Sequence, residues 1–463
     1  MTIDSPQPRY YTESAVPIEL TSESAELITW NIYTGTHLLY TSPKTYTSST
    51  RVSLGNGEYE LQVWVGGQLI KKVVFGVNLR NSGAVYASGG SNAEIQTAIN
   101  SATEGYAVYL PAGMFAFDSS APWTQVNVPA GISIYGAPAL RDADGQVVDS
   151  TWATVLTMPY DAADYSRFFE YTGSSSIVTR ITGLKLVGYR EIDPANIKST
   201  YEALHISGGA EYRIDHCYFR NVPGSGTINI FGAKGVLDHC ILIVDPYTII
   251  GMDWEDDTSH YGIVFCGITS WLPLSDVVGK YNNRDWYVED NYFSGYSVVC
   301  QTNNAGHYVF RYNTVLNGLK DVSLHSNVAT GYGGRCQEVY GNTFTNKPLG
   351  TKQQVAVGAN CGTMICTGNT FNGYGYPPGD DWEQAVQLRQ ANLDIHAWSQ
   401  IQDCYIWGNT ALPSGADMIE IKYGIVGANN PIVLNVDYFL RAPTVALDGW
   451  TYVPYTYPHP LVD

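Results

Sequence analysis

The feature that most constrains this chain is a six-residue unit that returns at a period near 25 residues. It consists of an apolar residue, two others, an Asn or Cys, one more, and an apolar residue. It reads IDHCYF (214–219), LDHCIL (237–242), IVFCGI (263–268), VEDNYF (288–293), FRYNTV (310–315), VYGNTF (339–344) and CTGNTF (366–371). The key position falls on Cys217, Cys240, Cys266, Asn291, Asn313, Asn342 and Asn369, at steps of 23, 26, 25, 22, 29 and 27 residues. Leu184 in ITGLKL extends the series upstream and Asn409 in IWGNTA extends it downstream. Such a period, built of strands and turns with no helix between them, predicts a parallel β-helix whose turns stack at ~4.8 Å. Each key Asn then bonds to the Asn above it, and Cys fills the same column as a small buried residue. No CxxC pair or Cys/His metal spacing occurs among the eight cysteines, so neither a disulfide framework nor a zinc site is expected.

Upstream of the repeat the texture differs. Residues 10–80 alternate apolar and polar, with NG and GG steps that suit hairpin turns, which predicts a small immunoglobulin-like β-sandwich. In NAEIQTAINSA (92–102), apolar residues at 95, 98, 99 and 102 predict a short amphipathic helix. The expected division is a docking sandwich over 1–82, a β-helix with a cap helix over 83–445, and a tail over 446–463. Low charge (15%) with 35 Tyr and 46 Gly agrees with an all-β chain. The formal charge of −18 argues against nucleic acid, which requires a dense Lys/Arg surface, and disfavours an unaided polyanionic glycan. The opening MTIDSPQPRYYTES has no apolar h-region, and no apolar run is long enough for membrane insertion. A chain working in the cytoplasm or on a virion, or one whose leader has been removed, is expected.

The stretches AEIQTAIN, AVYLPAG, VNVPAGISIYG and RITGLKLVG resemble the pectate-lyase-like right-handed parallel β-helix superfamily. YRIDHCYF, GVLDHCILI, WYVEDNYF, GGRCQEVYGNTF and the ending YVPYTYPHPLV look like one poorly characterised branch found in bacteria and their viruses. The resemblance covers roughly residues 85–463. It implies the fold, with an N-terminal helix capping the first turn. It leaves activity open, because members include lyases, hydrolases, epimerases, viral tailspikes and plain scaffolds.

Three places carry residues suited to chemistry. In DVSLHSNVATGYGGRCQE (321–338), Asp321, His325, Arg335 and Glu338 surround a Gly-rich insertion with Tyr332 near its tip. Alternation puts Asp321, Ser323 and His325 on one outward face, and the loop is expected to return Arg335 close to His325. In the resembling branch an Asp, a His, an Arg and the Glu of E-x-Y-x-N-T-F recur at these places. A catalytic role and a loop-pinning role both stand. Ladder parity turns Glu338 outward beside Val309 and Ile365, and pairs Glu289 with Arg311 as an ordinary exposed wall contact. In GMDWEDDTSH, Asp253, Glu255, Asp256 and Asp257 suit a glycosidase acid/base pair, calcium ligands, or simply a solvated acidic loop. Trp254 and Trp271 suit the apolar faces of sugars, and Lys280 or Arg284 could hold a substrate carboxylate.

The reading that results is a β-helix of tailspike type that recognises a glycan at an extracellular or virion surface. A homo-oligomer such as a trimer, or assembly on a virion or surface through the N-terminal domain, would suit it, and the sequence does not fix the oligomeric state. A polysaccharide lyase or glycoside hydrolase, and a purely structural fibre, are the alternatives. No cofactor beyond possible calcium is expected.

Overall fold

A computed structural model of the chain describes it apart from residues 1, 6–9, 12–14, 22–27, 35–36, 43–46, 55–56, 66–67, 78–82, 119–124, 138–151, 159–165, 189–201, 223–225, 246–260, 267–285, 297, 304–305, 317–319, 326–332, 347–353, 375–382, 391–399, 413–418, 424–431 and 463. The N-terminal part forms two sheets, of three and five strands among the described residues, antiparallel except where the edge strand Tyr10–Tyr11 runs parallel to Gln68–Val77. Alternation drives their packing. In Ile28–Thr34 the buried side chains are Ile28, Trp30 and Ile32, which join Val16, Ile18, Leu61 and Phe75 in one apolar cluster shared by both sheets.

From Gly83 the chain winds into a right-handed parallel β-helix with three sheets of twelve, ten and ten described strands. One turn shows the plan. Glu211–Asp215 lies in sheet A, Tyr218–Arg220 in sheet B and Ile228–Phe231 in sheet C. The next turn lies one strand further on in each sheet, in parallel register. The entrance is closed by the helix Asn92–Ser101, whose buried residues are Ile95, Ala98 and Ile99. Ser91 caps it: its hydroxyl accepts from the Glu94 N–H while Glu94 returns a bond to the Ser91 N–H.

The repeat motif is the corner between sheets A and B. Asn291 accepts from the Cys240 N–H (2.8 Å), Asn313 from Asn291 (3.0 Å), Asn342 from Asn313 (2.9 Å), Asn369 from Asn342 (3.0 Å) and Asn409 from Asn369 (3.0 Å). The corner is sharp because the residue before each ladder position adopts a left-handed backbone: φ is 48° at His216, 58° at Asp290, 57° at Tyr312 and 70° at Gly341. Two residues after Asn291, Asn313, Asn342 and Asn369 the side chain enters the core, and Phe344 stacks on Phe371 at 5.4 Å. One expected rung fails. Cys266 ends the strand Tyr261–Cys266 of sheet C, paired with Phe231 and Asn303, and is not at the corner. The ladder runs directly from Cys240 to Asn291, 51 residues apart, so that turn is one rung with long excursions. The seven described cysteines are free and buried.

The largest departure from expectation concerns the outer face of sheet A. The chain from Trp450 to Val462 lies across it as a strap. Arg311 donates to Glu289 (2.7 Å), to the Tyr340 hydroxyl (3.0 Å), and to the strap carbonyls of Tyr455 (3.1 Å) and Thr456 (2.9 Å). The His459 N–H donates to Glu289 (2.8 Å), and Arg213 donates to the carbonyls of Leu461 (3.0 Å) and Val462 (2.9 Å). Glu289 and Arg311 point outward and pair as parity requires, but both are 0% exposed. The expected solvated wall contact is therefore a buried ion pair. Burial pushes the Glu289 carboxyl up, and the Arg311 guanidinium and the His459 N–H pull it back.

Candidate functional site

The outer face of sheet C carries a register row through Glu170, His205, Asn229, Val264, Gln301, Ser323, Gly358 and Gln387, polar except at Val264 and Gly358. Its densest part is built on a local irregularity. In the strand Glu202–Ser207, the N–H groups of Ala203 and Leu204 both donate to the Thr227 carbonyl (2.8 and 3.2 Å). Both side chains enter the core. A strand that spends two consecutive residues inward behaves as a bulge, and it brings the residues on either side of the pair to the same face. Glu202 and His205, three apart, thereby meet: His205 Nδ1 lies 2.8 Å from Glu202 Oε2.

Glu202 is 2% exposed and held by three partners. Arg167 Nε lies 2.6 Å away, Asn229 Nδ2 donates at 2.6 Å, and His205 completes the set. Arg167 also reaches Glu170 at 3.3 Å. A buried carboxylate needs this compensation, because an isolated one would lose far more in hydration than it gains. An imidazole that donates Nδ1–H to a carboxylate presents Nε2 as a proton acceptor. Beside it lies Phe231, 38% exposed, its ring centroid 5.0 Å from that of His205. An oriented base, a guanidinium and an exposed aromatic ring thus stand together on one sheet.

The expected site residues fall elsewhere. His325 is exposed at the end of the sheet C strand Lys320–Leu324, and its carbonyl accepts from the Gly334 N–H at 2.9 Å, so the insertion closes at its base. Arg335 returns to this corner as expected, but its side chain is buried, donating to the Thr363 hydroxyl at 3.0 Å. Burial lowers the affinity of that guanidinium for its proton. The side chain of Asp321 lies outside the described residues. Ser323, expected on the same outward face, is 2% exposed. The double-inward bulge seen at Ala203–Leu204 recurs along the sheet at Val299–Cys300 and Ala356–Val357.

Glu338 belongs to a different face. It sits between Val309 and Ile365 on sheet A as parity required, but it is 0% exposed, with the Tyr452 hydroxyl of the strap donating to it at 2.8 Å. Its second oxygen lies 3.4 Å from His307 Nε2. The structure thus joins His325 and Arg335 through the loop base and turns Glu338 to the strapped face. Tyr332, Trp254, Trp271, Lys280 and Arg284, and the calcium candidates Asp253, Glu255, Asp256 and Asp257, lie outside the described residues. The chain stretches that carry them enter or leave the sheet C strands Tyr261–Cys266 and Lys320–Leu324, two strands apart in that sheet.

Sequence reading missed Arg167, Glu202, His205, Asn229 and Phe231. An E-x-x-H spacing in a regular strand puts the two residues on opposite faces, and only the bulge reverses this. No helix among the described residues is long and apolar enough to cross a membrane.

No family model and no curated protein matches the sequence. Among solved structures, the chain is similar to a family 28 exopolygalacturonase of Yersinia enterocolitica, with a TM-score of 0.32 at 12% identity, over 91% of this chain and 98% of that one. It is also similar to an alginate lyase of a Paenibacillus strain, with a TM-score of 0.26 at 14% identity, over 66% of this chain and 99% of that one.

Proposed function

We propose that the chain acts on a carbohydrate polymer laid along the outer face of sheet C, and that the Glu202–His205 pair is its chemical centre. The observation that carries this reading is the bulge that gathers Glu202, His205 and Arg167 beside the exposed ring of Phe231. A base beside a guanidinium suits elimination next to a uronate carboxylate. His205 Nε2 would take the proton next to the carboxylate while Arg167 steadies the charge that develops. The electron pair forms the C=C bond as the glycosidic C–O bond breaks, and the departing sugar oxygen takes a proton from solvent. Phe231 offers the apolar platform on which a sugar face packs.

A second reading, recognition without turnover by a surface or virion protein of tailspike type, draws support from the exposed ring of Phe231 beside the partly exposed His205, a surface on which a sugar face can pack with no bond being broken. Asn229, Gln301, Ser323 and Gln387 continue that face but are only 4, 5, 2 and 1% exposed, so they shape it rather than reach for sugar hydroxyls.

The test is incubation of the full chain with a panel of neutral and acidic glycans, with and without calcium. Release of reducing or unsaturated ends is followed alongside direct binding. Release that disappears in His205→Ala supports the catalytic reading. Binding with no release from any glycan leaves recognition alone. Neither binding nor release overturns both and points to a stiff fibre subunit.

A further inference from the structure

We infer that the outer face of sheet A holds a divalent transition-metal site, formed by His307, Cys336 and Glu338 beneath the C-terminal strap, with Zn²⁺ as its natural occupant. Their ligand atoms lie within 4.8 Å of one another, and all three side chains are buried. The β-helix register produces this grouping. His307 begins the strand His307–Arg311, and Cys336 begins the strand Cys336–Tyr340 on the next turn; the two are direct partners across the sheet. Glu338, two residues past Cys336, projects from the same face.

The donor set selects the ion. A thiolate, an imidazole and a carboxylate form a mixed sulfur, nitrogen and oxygen set, which zinc accepts in tetrahedral geometry. Calcium and magnesium require oxygen alone. Charge also favours a cation: the Cys336 thiolate and the Glu338 carboxylate together balance a dication in a place where burial penalises either anion on its own. On binding, the thiol proton leaves to solvent as the sulfur–metal bond forms, so uptake releases a proton.

The surroundings fit a metal centre as well as the ligands do. Cys336 shares an apolar cluster with Ile365 and Tyr405, against which Trp407, Phe439, Trp450 and Tyr452 pack. Tyr452 donates to the second oxygen of Glu338 (2.8 Å), the kind of outer contact that orients a metal-bound carboxylate. The strap therefore supplies the lid and one supporting hydrogen bond. The metal would join two consecutive turns of the solenoid, His307 on one and Cys336 and Glu338 on the next, beneath the strap, with solvent in its fourth position, a role independent of any glycan chemistry on sheet C.

The test uses the purified full chain loaded with Zn²⁺ and, separately, with Co²⁺, each freed of excess metal. Expected results are one zinc per chain by elemental analysis, and cobalt spectra with a thiolate-to-metal charge-transfer band and tetrahedral d–d intensity. X-ray absorption should show one sulfur neighbour at ~2.3 Å and nitrogen or oxygen neighbours at ~2.0–2.2 Å. Cys336→Ser should abolish the charge-transfer band, and His307→Gln should weaken retention even if the serine variant fails to fold. Tyr452→Phe, which removes only the supporting bond, should loosen zinc by about 10–100-fold. Failure of the wild-type chain to retain either metal overturns the inference. So does a cobalt–thiolate band that survives undiminished in both Cys336→Ser and His307→Gln, which would place the ion at another cysteine.

Discussion

The outer faces of sheets A and C are made by one solenoid and both carry charged side chains, yet they differ in what completes them. On sheet A the charges are closed off by the chain itself. Arg311, Glu289 and Arg213 spend their hydrogen bonds on the carbonyls and N–H groups of the strap, and aromatic rings fill the gaps. On sheet C the Glu202 cluster is satisfied within the sheet, yet His205 remains partly exposed beside the open ring of Phe231. A polar wall on a β-helix is therefore not evidence of function in itself. A face whose polar groups are matched by its own chain is architecture, and a face that leaves an oriented base and an aromatic ring accessible can meet a ligand.

The contrast can be broken first on sheet A. Arg311→Ala leaves Glu289 buried without its cation, and is expected to destabilise the fold by about 3–5 kcal/mol, read from the shift of a denaturant midpoint. Replacing both partners, with Arg311→Met and Glu289→Leu, should cost far less. An equal loss in the single and double variants would show that the pair is not what holds the strap.

On sheet C the expected pattern is the reverse. If turnover is found, His205→Ala should reduce it by about 10²–10⁴-fold with little change in melting temperature, since the ring is partly exposed and contributes little packing. A large loss of stability with unchanged turnover would move this cluster into the architectural class. A smaller effect separates the faces by pH. His459 of the strap is buried, and burial together with the Arg311 charge pushes its imidazole down to about 4. A group whose folded value lies below its unfolded value binds more protons when unfolded. Its stabilising share is therefore complete above pH ~6.5 and is lost as pH falls toward that folded value, by at most ~3 kcal/mol. Hydrogen exchange at residues 450–462 should accelerate over that window, and exchange in the sheet C strands should not. The smallest change is Phe231→Ala, expected to weaken glycan binding by about 1 kcal/mol in titration calorimetry while leaving the denaturant midpoint in place.

Much of the fold was legible because a stacked solenoid writes its geometry into the sequence at a fixed interval. Asn313 announces its own environment, because it bonds to the Asn above and the Asn below at the same corner. Outward parity on sheet A was equally readable, placing Glu338 beside Val309 and Ile365 and Arg311 beside Glu289. Cys266 misled because a motif match of six residues says nothing about which of three sheets the strand belongs to. On sheet C simple alternation concealed Glu202 and His205, because the adjacent inward residues Ala203 and Leu204 shift the phase by one and composition does not mark the bulge.

The sequence by itself determined the repeating corner, the small and aromatic residues of the core column, the capped entrance helix and the all-β architecture. These depend on local pattern and on contacts one period away. Only the tertiary structure decided that the polar face of sheet A is covered, because the strap that covers it comes from residues about 110–250 positions distant from those it meets. It likewise decided that His307, Cys336 and Glu338 meet. Their spacing has no meaning along the chain and acquires one only when consecutive turns stack in register.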